Sequence, residues 1–264
     1  ERERTMKTKF ISFMAAAALA VQGAALPVIA GAEASATYIT NSDFNDVSVG
    51  GAKGTGYYGL GIIMDGSPWL QKGSASLHYE TFMHDDERNV NYANFWSNSD
   101  KSGSNDGAGS MYVYQRDTTS NFQQNFGYCQ FDIRMHEGKM ALMLGSFTDA
   151  TSSTDYLANT ITFTTDSVSA YDGSSGKTIA SISPDTWYTV KIMINNKLQE
   201  CSISISDMDG KVIGMLEEGG YQQAACENVR TWCFGYIRGN TYDYDLTNVT
   251  IDKSTEDKNP YSVK

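Results

Sequence analysis

The fold is decided by the stretch from Thr186 to Leu216, which reads TWYTVKIMINNKLQECSISISDMDGKVIGML. Residues of alternating polarity run through its first part and again from Cys201 to Ser206. A period of two is typical of strands that bury one face. Asp209-Gly210 lies where a hairpin must reverse, and glycine supplies the positive φ that such turns require. The stretch therefore predicts three consecutive antiparallel strands.

The remainder of the chain repeats this pattern of short alternating runs separated by Gly, Asn, Asp and Ser. Further strands are predicted at 76–82, 111–116, 127–135, 140–146, 230–238 and 245–251, with a long surface loop at 94–110. Many short strands joined by turn residues indicate an all-β protein. We expect a two-sheet antiparallel β-sandwich.

The N-terminal segment has a different character. Lys7 and Lys9 follow Met6 and precede a mostly apolar run at 10–30 and small residues at 32–36. A basic region, an apolar region and an A-x-A site predict a secretory signal peptide over 1–36, with extra residues before Met6. The alternative is an uncleaved membrane anchor. We expect a secreted, extracellular protein that has no membrane contact after cleavage, a β-sandwich domain at 37–252 and a polar tail or linker at 253–264.

The formal net charge of −11 limits the classes of partner. Phosphate binding requires clustered Lys and Arg, so an acidic chain disfavours nucleic acid and anionic membranes as partners. It also disfavours strongly acidic polymers, unless a local basic pocket overrides the overall sign. Neutral polymers and cations fit the charge better.

The four cysteines are Cys129, Cys201, Cys226 and Cys233. Export would permit disulfides, and Cys226 with Cys233 would staple one loop. The alternative is that all four are free thiols buried as small apolar side chains. The sequence leaves both interpretations open.

Several segments carry a family resemblance, in this order: NSDFND at 41–46, GYCQFDIR at 127–134, DTWYTVKI at 185–192, the Asp209-Gly210 hairpin and YDLTNVTI at 244–251. This order resembles concanavalin A-like jelly rolls of the laminin-G, lectin and carbohydrate-binding-module kind, found in secreted polysaccharide-processing proteins. The resemblance implies a jelly-roll sandwich with glycan bound on one sheet. It also implies that Trp187 and Tyr188 pack under a loop.

Three predicted strands place aromatic and polar residues on one side and end that side in arginine. Sugars stack on aromatic rings, while Asp, Gln and Arg bind their hydroxyl groups. Trp96, in a polar predicted loop, is a further candidate. The alternative is that the aromatic side fills the core, the commoner use of such rings. The predicted sugar-binding residues are Tyr112, Tyr114, Arg116, Tyr128, Gln130, Asp132, Arg134, Trp232, Tyr236, Arg238 and Trp96.

A structural calcium ion is predicted between the first and last strands. Asp43 and Asp46 flank the first strand, and Asp245 and Asn248 lie in the last. Their carboxylate and amide oxygens are ligands that calcium prefers, and the resemblance implies such an ion between the termini. The alternative is an ordinary acidic surface.

Enzyme motifs are scarce in this sequence. The E-x-D-x-x-E strand motif of jelly-roll glucanases is absent, and HDDER at 84–88 is the only dense run of catalytic residue types. Such a run is either a solvated loop or a site holding the base and arginine of a lyase. We therefore expect a secreted, non-catalytic carbohydrate-binding domain for a polysaccharide or oligosaccharide. The alternatives are a polysaccharide lyase or endo-glycoside hydrolase of the same fold, and a surface adhesion module.

Overall fold

The computed structural model describes residues 38–42, 44–45, 63–64, 67–68, 70–72, 78–97, 112–116, 126–146, 156–229, 231–236 and 241–254. The regular elements of these residues are strands, and none of them forms a helix able to cross a membrane. The strands are β1 Tyr38–Ser42, β2 Ile63–Met64, β3 Ser67–Pro68, β4 Leu70–Lys72, β5 His78–Asp85, β6 Val90–Ser97, β7 Tyr112–Arg116, β8 Phe126–Gly145, β9 Leu157–Thr164, β10 Ser167–Tyr171, β11 Gly176–Ser181, β12 Trp187–Asn195, β13 Glu200–Ser206, β14 Val212–Gly220, β15 Thr231–Tyr236 and β16 Tyr242–Ser254.

The strands pair antiparallel in two main sheets that share β8. Sheet 1 has the order β5-β6-β16-β8-β12-β13-β14, with β1 beside the second half of β16. Sheet 2 has the order β11-β10-β9-β8-β15-β7-β4. The short strands β2 and β3 pair with each other. The predicted two-sheet antiparallel β-sandwich is confirmed, and β16 continues past the predicted domain end at 252.

One long strand joins the two sheets. The first part of β8 pairs with β12 and β16, and from Lys139 onward it pairs with β9 and then with β15. The sequence predicted separate strands at 127–135 and 140–146, and this break is wrong. The chain bends at Gly138, whose φ of +73° is open to glycine but strained for other residues. The bend carries β8 from one layer to the other without interrupting its pairing.

The core lies between the two sheets. The ring of Phe131 in sheet 1 lies 6.1 Å from that of Phe163 and 5.2 Å from that of Phe234, both in sheet 2. Burial of such apolar side chains is the main stabilising contribution in a sandwich of this kind. The inner faces contribute Cys129, Ile133, Val190, Ile192, Ile203, Leu246 and Ile251 from sheet 1, and Leu142, Leu144, Ile161, Val168 and Trp232 from sheet 2.

The deciding stretch folds as predicted into β12, β13 and β14. Val190 pairs with Ile205 and Ile192 with Ile203, so the apolar sides of β12 and β13 coincide. Between β13 and β14, the Asp207 carboxylate accepts hydrogen bonds from the amides of Asp209 and Lys211. Gly210 has a φ of +82°, which is the conformation expected at this turn.

All four cysteines are free and buried. Burial raises the pKa of the Cys201 thiol to about 12 and that of Cys226 to about 11. Thiols held in the protonated form are poor nucleophiles, so these side chains act as small apolar groups. The disulfide alternative for Cys226 and Cys233 is wrong, and the buried-thiol alternative is confirmed.

Candidate functional site

The outer side of sheet 1 carries rows of polar residues, many of them buried and some half-buried. Along β8, Gln130, Asp132, Arg134 and His136 alternate with core residues. We call this side the polar face of sheet 1. The register adds Asn94 from β6, Asp245 and Thr247 from β16, Trp187, Thr189 and Lys191 from β12, and Ser202, Ser204 and Ser206 from β13. The side of β8 that carries Tyr128, Gln130, Asp132 and Arg134 lies opposite the core side, and Tyr128 and Asp132 are nevertheless buried.

The other predicted aromatic strands do not join this surface. Both β7 and β15 belong to sheet 2, so their side chains do not extend the polar face of sheet 1. Trp232 is 0% exposed within the core, because the register places it beside Leu144 on the inner side of sheet 2. Its assignment as a sugar-stacking residue is therefore corrected. Outside the described part lie the side chains of Tyr112, Tyr114, Arg116 and Tyr236, and all of Arg238.

Arg134 is the most constrained cation of the polar face. Its Nε donates to Asp245 Oδ2 at 2.8 Å, and its Nη1 donates to Asp85 Oδ2 at 3.3 Å. The guanidinium carbon lies 4.5 Å from the centroid of the Trp187 ring and 5.2 Å from that of Tyr92. Contacts of this kind fix a planar guanidinium both in position and in orientation.

Asp132 anchors a second group of contacts. It accepts hydrogen bonds from Arg88 Nη2 at 2.7 Å, Thr189 Oγ1 at 2.7 Å and Asn248 Nδ2 at 2.8 Å. A carboxylate that is buried and accepts from three donors has little capacity left for a ligand. The predicted sugar-binding role of Asp132 is therefore corrected to one of holding Arg88 and Thr189 in place.

His136 links the buried and the exposed parts of the site. Its Nε2 lies 2.7 Å from Asp245 Oδ2, and its Nδ1 lies against Asp185 Oδ1. The ring therefore bridges two carboxylates, one through each of its nitrogens. The Asp185 side chain is 74% exposed and that of Asp245 is 1% exposed. The cluster thus reaches from the sheet interior to solvent.

The predicted calcium ligands lie in these networks where they are described. Asp245 accepts from Asn94, Arg134 and His136, while the Asn248 amide donates to Asp132. Asp43 and Asp46 lie outside the described residues. Within the described part of the chain, no cluster of three or more His, Cys, Asp or Glu side chains is arranged to hold a metal. Calcium stays a prediction.

The sequence analysis missed the part played by Asp85 and Arg88. The Trp187 indole Nε1 donates to Asp85 Oδ2 at 2.9 Å, and the Arg88 guanidinium carbon lies 4.7 Å from the Trp187 ring centroid. Trp187 is thus buried under the β5–β6 turn, as the resemblance implied. The run at 84–88 is therefore not a purely solvated loop, because Asp85 and Arg88 both contact Trp187. No local signal in the run points to Trp187, which lies about a hundred residues further along the chain.

Trp96 is a residue of β6 and not of a loop, contrary to the prediction. It pairs with Asp243 across β16 and is half-buried on the side of the sheet that carries Asn94. The frequent Asn and Ser residues around it gave the segment a loop-like composition. Their alternation with Ala93 and Phe95, both buried, is the signal that marks the strand.

The loss of stability at acid pH should depend on Asp85. Burial alone would raise the pKa of this carboxyl, but hydrogen bonds from Trp187 and the Arg88 amide, with the charges of Arg134 and Arg88, lower it below 3.8. A lowered folded-state pKa gives stability that is complete above 3.8 and is lost as pH falls through the folded value. Between about pH 5 and pH 2, the free energy of unfolding measured with urea should fall less in Asp85→Asn than in the wild type. Equal losses would contradict this assignment.

Comparison with known proteins gives a similarity of fold. No family model matches the chain, and no curated protein matches it. Among solved structures, the catalytic domain of the glycoside hydrolase family 131 protein from Coprinopsis cinerea has a TM-score of 0.45 and 10% identity over 72% of this chain and 84% of its own. The alginate lyase from Klebsiella pneumoniae has a TM-score of 0.42 and 5% identity over 66% and 84%. A sialidase has a TM-score of 0.44 and 13% identity over 68% of this chain but only 17% of its own.

The fold itself is established by the strand pairing and the shared core. Identities and TM-scores this low carry no information about activity, so the function must be argued from the polar face of sheet 1.

Proposed function

We propose that this chain is a secreted, non-catalytic carbohydrate-binding domain whose polysaccharide ligand lies along the polar face of sheet 1. The observation that carries the proposal is the fixed Arg134 guanidinium within a row of half-buried polar side chains. Gln130 and Lys191 pair directly across β8 and β12, and Thr189 lies in the next row. Polar groups held on rigid strands suit a ligand that is recognised mainly through its hydroxyl groups.

The dimensions of the face suit an extended polymer. From Tyr128 to His136 the strand rises about 26 Å, at roughly 3.3 Å per residue. Trp96 lies on the same side of the sheet, beyond the row of Arg134 and Asp245, and its half-buried ring would supply stacking at that end. A chain of sugars lying along β8 would meet the amide, guanidinium and ammonium groups in succession.

The state of the carboxylates favours binding over cleavage. A glycoside hydrolase requires two carboxyl groups with room between them for the scissile bond. Asp85, Asp132 and Asp245 are instead occupied by arginine, indole, hydroxyl and amide donors from the protein itself. An acid or base committed to structural hydrogen bonds is poorly placed to exchange protons with a substrate.

A lyase or endo-glycoside hydrolase is the second candidate function, and one observation favours it. His136 lies between the exposed Asp185 and the buried Asp245, an arrangement able to move a proton between solvent and the face. Release of reducing ends, or of an unsaturated product that absorbs in the ultraviolet, would establish this candidate in place of the first.

Lys191→Ala should abolish retardation of the protein in affinity gels that contain the polysaccharide it binds. The side chain is half-buried on the proposed surface, so its removal deletes a ligand contact with little effect on stability. Lys177→Ala is the matched control, because Lys177 is exposed on β11 of sheet 2. Unchanged retardation of the Lys191 variant, or an equal loss in both variants, would refute this surface as the site. Binding to a protein partner in place of any polysaccharide would indicate an adhesion module.

A further inference from the structure

We infer that the polysaccharide bound on the polar face of sheet 1 is built from uronic acids, and that Arg134 selects their carboxylate groups. The inference rests on the proposed function, since it names the chemical class of ligand for that same surface. It differs from the expectation set by overall charge, which favours neutral polymers.

The exposure of each ion pair gives the first reason. The Arg134 side chain is 18% exposed, whereas its partners Asp245 and Asp85 are 1% and 11% exposed. The Arg88 side chain is 23% exposed and its partner Asp132 is 7% exposed. In each of these arginine pairs the cation is the more exposed partner, whereas in the His136–Asp185 pair the carboxylate is. A ligand on this face therefore meets guanidinium donors above the buried acceptors that hold them.

The unused donors of Arg134 give the second reason. Its Nε and Nη1 donate to carboxylates, and its side chain also forms a hydrogen bond with Tyr92. A guanidinium has five N–H groups, so these contacts leave some of them for a ligand, and the side chain is 18% exposed. Hydrogen bonds from a guanidinium to a carboxylate are about twice as strong as neutral ones. An anionic acceptor is thus the group that the remaining N–H groups would bind most strongly.

The spacing of the cations gives the third reason. Both guanidinium groups lie within 4.7 Å of the Trp187 ring centroid, and Lys191 follows Trp187 on the same side of β12 after about 13 Å of strand. Positive groups thus recur along the direction proposed for the ligand, as repeated carboxylates of a uronate polymer would require. At physiological salt, charges more than about 8 Å away are largely screened, so the acidic surface elsewhere has little influence on binding at this face.

Uronate polymers offer a test that changes only the ligand. We would titrate the wild-type protein with polygalacturonate and polyglucuronate, and with the fully methyl-esterified form of each, at pH 7 and about 150 mM salt. Esterification removes the charge and keeps the sugar skeleton. At least one acid form should bind roughly tenfold tighter than its ester, a difference that corresponds to about 1.4 kcal/mol. Equal affinities for acid and ester forms would overturn the inference, as would binding to none of these polymers.

Arg134→Lys tests the residue assigned to this selection. Lysine keeps the charge but lacks the planar fork, so the ratio of acid to ester affinity should fall toward one in this variant. A purely structural role would weaken both forms equally and leave the ratio unchanged, which would contradict the assignment. Thermal unfolding checks that the variant is folded, and the ligand comparison stands without it. Neutral polysaccharide bound in a Lys191-dependent way, with no preference for acids, would overturn this inference alone. Uronate binding unaffected by Lys191→Ala would instead overturn the proposed surface.

Discussion

Gly138→Ala is expected to destabilise the protein by about 2–4 kcal/mol, because it combines backbone strain with overpacking. The residue has a φ of +73°, where a side chain is disfavoured. A Cβ atom built there would lie 1.9 Å from the Thr241 carbonyl oxygen, which is backbone and has no rotamer to change. The position is also the bend at which β8 passes from sheet 1 to sheet 2, so any adjustment would disturb pairing in both layers.

Gly210→Ala is the matched control for this prediction. Its φ of +82° imposes a similar backbone cost, but a Cβ atom there has no neighbour within 4 Å. Urea unfolding of both variants separates the two contributions, and we expect Gly210→Ala to cost about 1 kcal/mol. If the two variants lose the same stability, the close approach at Thr241 is not what requires glycine at the bend.

The alternation of polar and apolar residues predicted where the strands lie and which residues share one side of a strand. It worked best for β12 and β13, where every second residue is apolar and the partner strand follows within a few positions. It also separated the polar side of β8 from the core side. A period of two is a local property of the chain, so it is visible without any knowledge of which strands are neighbours.

Alternation does not say which side of a strand faces the core when both sides carry large residues. In β15, Arg238 predicts that the aromatic side of the strand faces outward, because arginine is costly to bury. Trp232 and Phe234 of that side instead fill the interior. The contacts of the site are equally non-local. Arg134 and Asp245 are 111 positions apart, and Trp187 and Asp85 are 102 apart. The pairing of β8 with β12 and β16, rather than any local motif, brings these residues together.

The same topology explains why the site is rigid. Arg134 lies in the central strand of sheet 1, with Asp245 directly opposite on β16 and Trp187 directly opposite on β12. Its hydrogen bonds and its ring contact therefore come from neighbours already fixed by the sheet ladder. A guanidinium held in this way loses little conformational entropy when it binds a ligand, which favours selectivity.

Asp245→Asn is expected to destabilise the folded state by about 3 kcal/mol, because it removes one member of a buried ion pair and leaves the other members uncompensated. Asp245 is 1% exposed and accepts from Asn94, Arg134 and His136. Asparagine has nearly the same shape, so the loss would report charge and hydrogen bonding and not a cavity. The change in free energy of unfolding is measured with urea at pH 7.

Asp185→Asn supplies the comparison that isolates burial. Asp185 contacts the same imidazole from the opposite side, but its side chain is 74% exposed. Exposed ion pairs contribute about 0–1 kcal/mol, so this variant should unfold close to the wild type. Because both substitutions remove one carboxylate from His136, a difference between them measures what Asp245 does for Arg134 and Asn94. Equal effects would mean that the histidine contact alone matters, and that Arg134 is held in place chiefly by Asp85 and Trp187.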